Sequence, residues 1–326
     1  MLKTCQLSKN YGKLSVLHSL DLEISDGHIM SLVGSSGSGK STLLRLISGL
    51  EKPDDGQITL NGKIVSNENI FIPPEKRDCS LVFQDYALFP NMTIKQNIYF
   101  GKNSNQNKEK IERLIEITDI AKIMHKFPHE CSGGEQQRTA LVRSLAIGPS
   151  IILMDEPLSN LDFSLKQNLA ALVRKLLKEF QTTALIVTHD VMDALEISDK
   201  IAVIDEGKII QEGGPNEIYN NPNSKKTALL FGETNFIPYE IFPNSKFYFH
   251  DTDSNKKWIS IRPDQFILYD EENSKDNKVF SGQVEYLKKI GSKYKVIMRC
   301  EKFSIKISLN TLNKISVGQK LEVISV

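Results

Sequence analysis

Eight consecutive residues, Gly34-Ser35-Ser36-Gly37-Ser38-Gly39-Lys40-Ser41, follow the spacing G-x-x-x-x-G-K-[ST]. Such a run can turn its backbone N–H groups inward around phosphate oxygens, because its glycines permit the tight turn. The apolar stretch Ile29–Val33 precedes it, and Leu43, Leu44, Leu46 and Ile47 follow at helical spacing until Gly49. Strand, turn and helix in that order are the context the spacing requires. The helix N-terminus adds its positive dipole end. Lys40 would reach the β- and γ-phosphates, and Ser41 would hold Mg2+. The pattern predicts a nucleoside-triphosphate site without distinguishing a kinase, GTPase, motor or transporter.

Further residues with suitable chemistry lie downstream. Ile151-Ile152-Leu153-Met154 is an apolar run that ends in Asp155 and Glu156. Carboxylates at the C-terminal end of a parallel strand can face the same phosphates. Asp155 would hold Mg2+ directly or through water, and Glu156 would polarise the attacking water as a general base. Ser132-Gly133-Gly134-Glu135 reads as a capping box, a serine with a glutamate three residues on. Two glycines are more than a cap needs, so this helix start can also meet an anion. His189 ends the apolar run Ala184–Thr188, where a γ-phosphate contact is plausible if that run lies beside Ile151–Met154. Gln84 ends another apolar stretch and is a weak signal alone.

The elements that must position these residues alternate. Leu165, Leu169, Leu172, Val173, Leu176 and Leu177 predict a long amphipathic helix, and Ile111, Leu114, Ile115 and Thr118 another. Asn61-Gly62 and Glu206-Gly207 mark hairpins. Strand–helix alternation predicts an α/β fold with a mainly parallel sheet. After about residue 235 the pattern changes to short aromatic or β-branched runs with turns between them, a small all-β sandwich or barrel. The chain has 326 residues, enough for about two domains. It holds 41 Lys and Arg against 40 Asp and Glu, which lacks the basic footprint of a general nucleic-acid binder. No apolar run reaches the ~20 residues of a membrane-spanning helix. The start, Met1-Leu2-Lys3-Thr4, lacks the apolar core of a secretion signal. Cysteines at 5, 79, 131 and 300 form no CxxC pair, so neither zinc nor a disulfide framework is expected.

As an ordered set, these residues resemble the nucleotide-binding subunit of an ATP-binding cassette (ABC) transporter, over roughly residues 1–235. Gly34–Ser41, with Thr42 after it, is similar to the Walker A loop, Gln84 to the Q-loop and Cys131–Glu135 to the signature LSGGQ. Ile151–Glu156 is similar to Walker B, Ser159-Asn160-Leu161-Asp162 to the D-loop and His189 to the H-loop. Tyr11 stands where that family stacks an aromatic ring on adenine. The resemblance implies a P-loop NTPase domain with a helical subdomain at about 86–150, and ATP and Mg2+ as cofactors. Ser41, Gln84 and Asp155 would be the metal's neighbours. It also implies a head-to-tail homodimer in which Ser132, Gly133, Gly134 and Glu135 meet the partner's nucleotide and Asp162 links the sites. Cys131 and Glu135 replace the family's leucine and glutamine. The first is a packing change, and the second adds negative charge near a phosphate.

Pro73–Arg77 through Val82–Pro90 is similar to binding-protein-dependent importers of ferric iron, polyamine, sulfate, molybdate or sugar. There Phe83, Tyr86, Leu88 and Phe89 would form part of a docking patch for two membrane permease subunits, with a substrate-binding protein further out. Residues 236–326 resemble the OB-like regulatory (TOBE) domain of those importers, with Ile261-Arg262-Pro263-Asp264 near its recurrent Ile-Arg-Pro-Glu stretch. The short tail favours ferric iron as cargo. The expected place is the cytoplasmic face of the inner membrane, held peripherally, with no nucleic-acid partner. A non-transport ABC ATPase is the alternative, disfavoured by a single Walker A and no sustained heptads.

Overall fold

The computed structural model describes every residue except 102–106, 160–162, 244–246, 252–255, 270–278, 302, 311–314 and 326. The chain divides into two compact units, Met1–Pro215 and Asn216–Val326.

Among the described residues the first unit has ten strands: β1 (Leu2–Tyr11), β2 (Leu14–Ile24), β3 (Ile29–Val33), β4 (Asp55–Leu60), β5 (Lys63–Ser66), β6 (Cys79–Val82), β7 (Ile151–Asp155), β8 (Thr183–Thr188), β9 (Lys200–Asp205) and β10 (Lys208–Gly213). Six of them form a sheet in the order β10-β9-β3-β8-β7-β6. All neighbours in it are parallel except the edge strand β10, which returns from β9 through the Glu206-Gly207 turn. The other four form an antiparallel sheet, β2-β1-β4-β5, with Asn61-Gly62 joining its last two strands.

Helices cover the parallel sheet, and this explains why its inner strands β3, β7 and β8 are buried at every position but Asp155. They are α1 (Lys40–Ser48), α2 (Ile94–Ile98), α3 (Lys108–Thr118), α4 (Gly133–Ala146), α5 (Phe163–Glu179) and α6 (Val191–Ile197). Ile152, Met154, Ala184 and Ile186 point into a core with α2, α3, α4 and α5. Their neighbours Ile151, Leu153, Leu185 and Val187 point the opposite way, into a core with α1 and the antiparallel sheet. The stretch expected to be helical, 86–150, contains α2, α3 and α4. Of the six apolar residues that predicted α5, Leu165 is exposed, while Leu169, Val173, Leu176 and Leu177 are buried.

Among the described residues the second unit contains α7 (Pro215–Asn220), α8 (Lys225–Leu230) and the strands β11 (Asn235–Pro238), β12 (Phe249–His250), β13 (Lys257–Ile261), β14 (Phe266–Leu268), β15 (Val279–Ile290), β16 (Lys293–Arg299), β17 (Ser304–Leu309) and β18 (Lys320–Ser325). They pair as a three-stranded sheet, β11-β13-β12, and a five-stranded antiparallel sheet, β14-β18-β15-β16-β17. Phe266, Phe280, Val284, Met298, Ile307 and Val323 are part of its core.

The expected division at 235/236 falls inside this unit, and Arg262 supplies the reason. Its side chain is 1% exposed, and it donates to the carbonyls of Tyr219 (3.1 Å), Ala228 (2.8 Å) and Gly232 (3.2 Å). The guanidinium thus satisfies carbonyls at the ends of α7 and α8, groups that no helix can satisfy internally. Arg262→Leu is expected to cost about 1–3 kcal/mol per stranded carbonyl. Faster hydrogen exchange in α7 and α8 would report it, and unchanged exchange there would refute the role.

Among the described residues no helix is long and apolar enough to cross a membrane.

Candidate active site

Strands β3, β8 and β7 are adjacent and parallel, so their C-terminal ends form one edge of the sheet. The loop Gly34–Gly39 leaves β3 there, Asp155 and Glu156 end β7, and His189 follows β8. Open α/β sheets bind ligands at such an edge.

The loop is exposed at Ser35, Ser36 and Gly37 and buried at Gly34, Ser38 and Gly39. Gly39 is the N-cap of α1, with φ at 104°, and no side chain caps the helix. A Cβ on Gly39 would stand 2.6 Å from Leu17 Cδ2 and 3.1 Å from the Val16 carbonyl. Gly39→Ala therefore combines a clash with a forbidden φ, about 1–3 kcal/mol of strain. A melting temperature lowered together with ATP affinity is the expected reading, and an alanine variant matching the parent in both would contradict it.

Lys40 is buried at the base of the loop. Its ammonium donates to the carbonyls of Gly34 (2.9 Å) and Ser35 (2.8 Å). Burial lowers its pKa, and the charges of Glu156 and Asp155 oppose the shift. Ser41 Oγ donates to Asp155 Oδ1 at 3.4 Å, although 114 residues separate them. Burial raises the Asp155 carboxyl's pKa, as does the neighbouring Glu156 charge. A hydroxyl and a carboxylate brought together are hard oxygen donors, the type Mg2+ selects. Among the described residues no group of three or more His, Cys, Asp or Glu side chains could hold a metal.

Glu156 adopts φ 48°, the left-handed region that a residue with a Cβ occupies only at a cost. Its backbone is held on both sides. The N–H donates to Val187 O at 2.8 Å, and the carbonyl accepts from Ser159 N at 3.1 Å and Ser159 Oγ at 2.9 Å. This conformation brings the carboxylate to His189, with Oε1 2.8 Å from Nδ1. A carboxylate only accepts, so Nδ1 carries the proton and Nε2 is the ring's other functional atom.

Tyr11, at the end of β1, hydrogen-bonds Glu51 and comes beside Thr42 on α1, so the expected adenine-side residue does adjoin the loop's helix. Its ring is 42% exposed, leaving surface for a stacking partner. Gln84 lies two residues past β6, the strand next to β7, with its side chain exposed. Asp162 lies outside the described residues.

Ser132 caps α4 as its spacing predicts. Its Oγ accepts from Glu135 N at 3.3 Å, while Glu135 Oε2 accepts from Ser132 N at 2.7 Å. That hydrogen bond from the Ser132 N–H is the main cause of the lowered Glu135 pKa. Glutamate thus serves the box as glutamine would. The expected extra negative charge near a phosphate is partly spent on the cap. Cys131 is buried in the helical core, as expected for a packing change. A Cβ on Gly133 would meet nothing within 4 Å, and one on Gly134 only Arg138 at 3.9 Å. The chain's own packing leaves room for a Cβ at both positions. Among the described residues no hydrogen bond or ion pair joins Ser132–Glu135 to the loop 34–41. In the aromatic segment, Phe83 and Phe89 are exposed, while Tyr86 and Leu88 are half-buried.

Sequence reading missed Arg77. Buried, it donates to the Leu46 (2.8 Å) and Ile47 (2.7 Å) carbonyls in the last turn of α1. A cation there complements the helix dipole and braces the phosphate-loop helix from its far end. No local pattern marks such a residue, because its partners lie 30 and 31 positions away.

The ABC transporter family model matches residues 17–159. The sulfate/thiosulfate import ATP-binding protein CysA of Mesostigma viride is 37% identical over 94% of this chain and 89% of its own length. The Fe(3+) ions import ATP-binding protein FbpC 2 of Haemophilus influenzae is 34% identical over 99% of this chain and 94% of its own. Among solved structures, the dimeric post-hydrolysis ATP-binding cassette MJ0796, bound to ADP and Pi, is similar with a TM-score of 0.56 and 29% identity, over 66% of this chain and 99% of that one. The cbiO1 protein of Clostridium perfringens, part of the ABC transporter complex cbiONQ, gives a TM-score of 0.61 at 27% identity, over 67% of this chain and 89% of that one. The chain belongs to the ABC transporter family and is an ATPase subunit of the import type.

Proposed function

We propose that this subunit binds and hydrolyses Mg-ATP at the β3–β8–β7 edge and couples that cycle to import of ferric iron through two membrane permease subunits. The observation that carries the site is the meeting of Lys40, the Ser41–Asp155 pair and the Glu156–His189 pair at one sheet edge. The N–H groups of Gly34–Ser41 and the Lys40 ammonium hold the phosphates, Thr42 lies at the same helix start, and Tyr11 stacks on the base. Ser41 and Asp155 hold Mg2+, with Gln84 close by, and the ion supplies charge neutralisation on the phosphates. Glu156 takes the proton of the attacking water, and His189 orients the Glu156 carboxylate and contacts the γ-phosphate.

Two chains pair head to tail, so that Ser132, Gly133, Gly134 and Glu135 of one meet the nucleotide of the other. Two observations support this: the glycines are not required by internal packing, and a similar cassette is described as dimeric. Asp162 links the two sites. Phe83 and Phe89 offer exposed apolar surface for the permease subunits, which hold the chain peripherally at the cytoplasmic face of the inner membrane and receive cargo from a substrate-binding protein. Residues 236–326 form an OB-like TOBE domain without a nucleic-acid partner. The domain boundaries are 1–235 and 236–326, with Arg262 of the second hydrogen-bonded to the Tyr219 and Ala228 carbonyls.

Ferric iron is the cargo to test first, beside sulfate, polyamine, molybdate or sugar: a relative named for Fe(3+) import and one named for sulfate/thiosulfate import each align over most of both chains. The test is uptake of labelled ferric iron and labelled sulfate in cells lacking this chain. Loss of iron uptake alone supports the assignment. Loss of sulfate uptake alone moves the cargo to sulfate. If neither falls, ferric iron and sulfate are both excluded as cargo.

A further inference from the structure

The chain makes an unusual turn immediately after Gln84. Tyr86 and Ala87 both have positive φ, 63° and 44°. Two successive left-handed residues with Cβ atoms are strained, and alanine has no polar side chain to offset the strain locally. Such a turn persists only where its surroundings over-determine it.

Here Tyr86 N donates to Phe83 O at 3.0 Å, Tyr86 Oη donates to Gln137 Oε1 on α4 at 3.5 Å, and one further side chain grips both carbonyls of the turn. Arg143, on the last turn of α4, donates from Nη1 to Ala87 O at 2.7 Å and from Nη2 to Tyr86 O at 3.0 Å. Its guanidinium also sits over the Phe89 ring, 5.4 Å from the centroid. None of these partners is a carboxylate. The planar fork is spent on two adjacent carbonyls, which a lysine ammonium cannot grip in the same way. Downstream, buried Asn97 accepts from Phe89 N at 2.8 Å and donates to the carbonyls of Phe89, Met92 and Thr93, each at 3.1 Å. The strap after Gln84 is therefore anchored at both ends, first to α4 and then to α2.

Helix α4 begins at the Ser132 cap, eleven residues before Arg143, about 16 Å away along a rigid helix. We propose that Arg143 is a positioning residue that holds the Tyr86–Ala87 turn and thereby couples Gln84 at the nucleotide to the signature end of α4. This rests on the reading of Gln84 and Ser132–Glu135 given above. A nucleotide that favours one position of Gln84 biases the turn, and the guanidinium fork carries that bias to the helix whose start meets the second nucleotide.

Three measurements on the full chain test it: Mg-ATP affinity, turnover at saturating Mg-ATP, and hydrogen exchange at 86–88 and 133–137. Arg143→Lys is expected to keep the Mg-ATP Kd within about 2-fold, lower kcat about 5- to 10-fold, and abolish nucleotide-dependent protection at 133–137. Ala87→Gly added to that variant relieves the strained turn but supplies no link to α4, so turnover and protection at 133–137 should stay low. A merely structural role, holding the turn alone, would be rescued by that glycine. Wild-type turnover in Arg143→Lys, or recovery of turnover when Ala87→Gly is added, overturns the proposal. If the lysine variant does not fold, exchange in the unaltered chain decides. Mg-ATP must change protection at 86–88 and 133–137 together, and a change in only one of them refutes the coupling. Failure of the nucleotide reading itself would appear separately, as no saturable Mg-ATP binding by the unaltered chain, and would overturn both.

Discussion

Glu156→Gln is expected to bind Mg-ATP about as tightly as the parent while turning it over about 10²–10⁴-fold more slowly, the range general-base catalysis contributes. The substitution suits the question because it alters little else. Glutamine has the size of glutamate, faces the same φ of 48°, and keeps the same backbone hydrogen bonds to Val187 and Ser159. Its amide oxygen can still accept from His189 Nδ1, which lies 2.8 Å from Oε1 in the parent. What it loses is basicity. Steady-state phosphate release at saturating ATP measures the drop, and binding of a fluorescent ATP analogue checks affinity. Turnover within threefold of the parent would remove Glu156 from the base role. Weakened binding would instead show that its charge matters for holding the nucleotide.

Lys40→Met should have the opposite signature, a loss of binding. In the folded chain the ammonium is held inside the loop by the Gly34 and Ser35 carbonyls, and two carboxylates lie close enough to favour its charge. It is therefore already at the phosphate position, without the entropy cost of ordering a long side chain. Two charge-assisted hydrogen bonds to phosphate oxygens at about 1.5–3 kcal/mol each predict about a 10²–10⁴-fold weaker Kd. Methionine preserves the length but leaves the Gly34 and Ser35 carbonyls without their donor, at about 1–3 kcal/mol for each that stays buried, so the melting temperature without nucleotide should fall as well. A Kd within threefold of the parent would contradict the assignment. An unchanged Kd with a lowered melting temperature would mean that the lysine's main work is closing its own loop.

These effects differ because the two residues are fixed by different parts of the fold. Lys40 acts within its own loop, whose carbonyls are five and six residues away. Glu156 depends on a histidine 33 residues distant, delivered by the pairing of β7 with β8.

That distinction separates what could be read from the residues alone. The phosphate loop, the Asn61-Gly62 and Glu206-Gly207 turns, the Ser132–Glu135 cap and the amphipathic helices were legible. Each is decided by groups within a few positions of one another, where residue type dictates conformation directly. Strands β1 and β2 were not legible. They shift register between Thr4 and Leu7 and again around Lys9, which breaks the period of two that marks a half-buried strand. The tie of α7 and α8 to Arg262 was not legible either, because that arginine lies 30 or more positions further on.

The sequence by itself determined that this protein has a nucleoside-triphosphate loop, which residues are expected to meet the nucleotide, and which family it resembles. Only the tertiary structure decided which strands lie side by side, and hence that Ser41 meets Asp155 and Glu156 meets His189. It also revealed that Arg77, Arg143 and Arg262 each satisfy backbone carbonyls instead of carboxylates. The physical reason is common to all of these. A local motif contains its own hydrogen-bond partners, whereas a buried guanidinium or a strand-end carboxylate acquires its partners only when distant segments pack, and packing is set by the summed burial of apolar surface across the whole sheet.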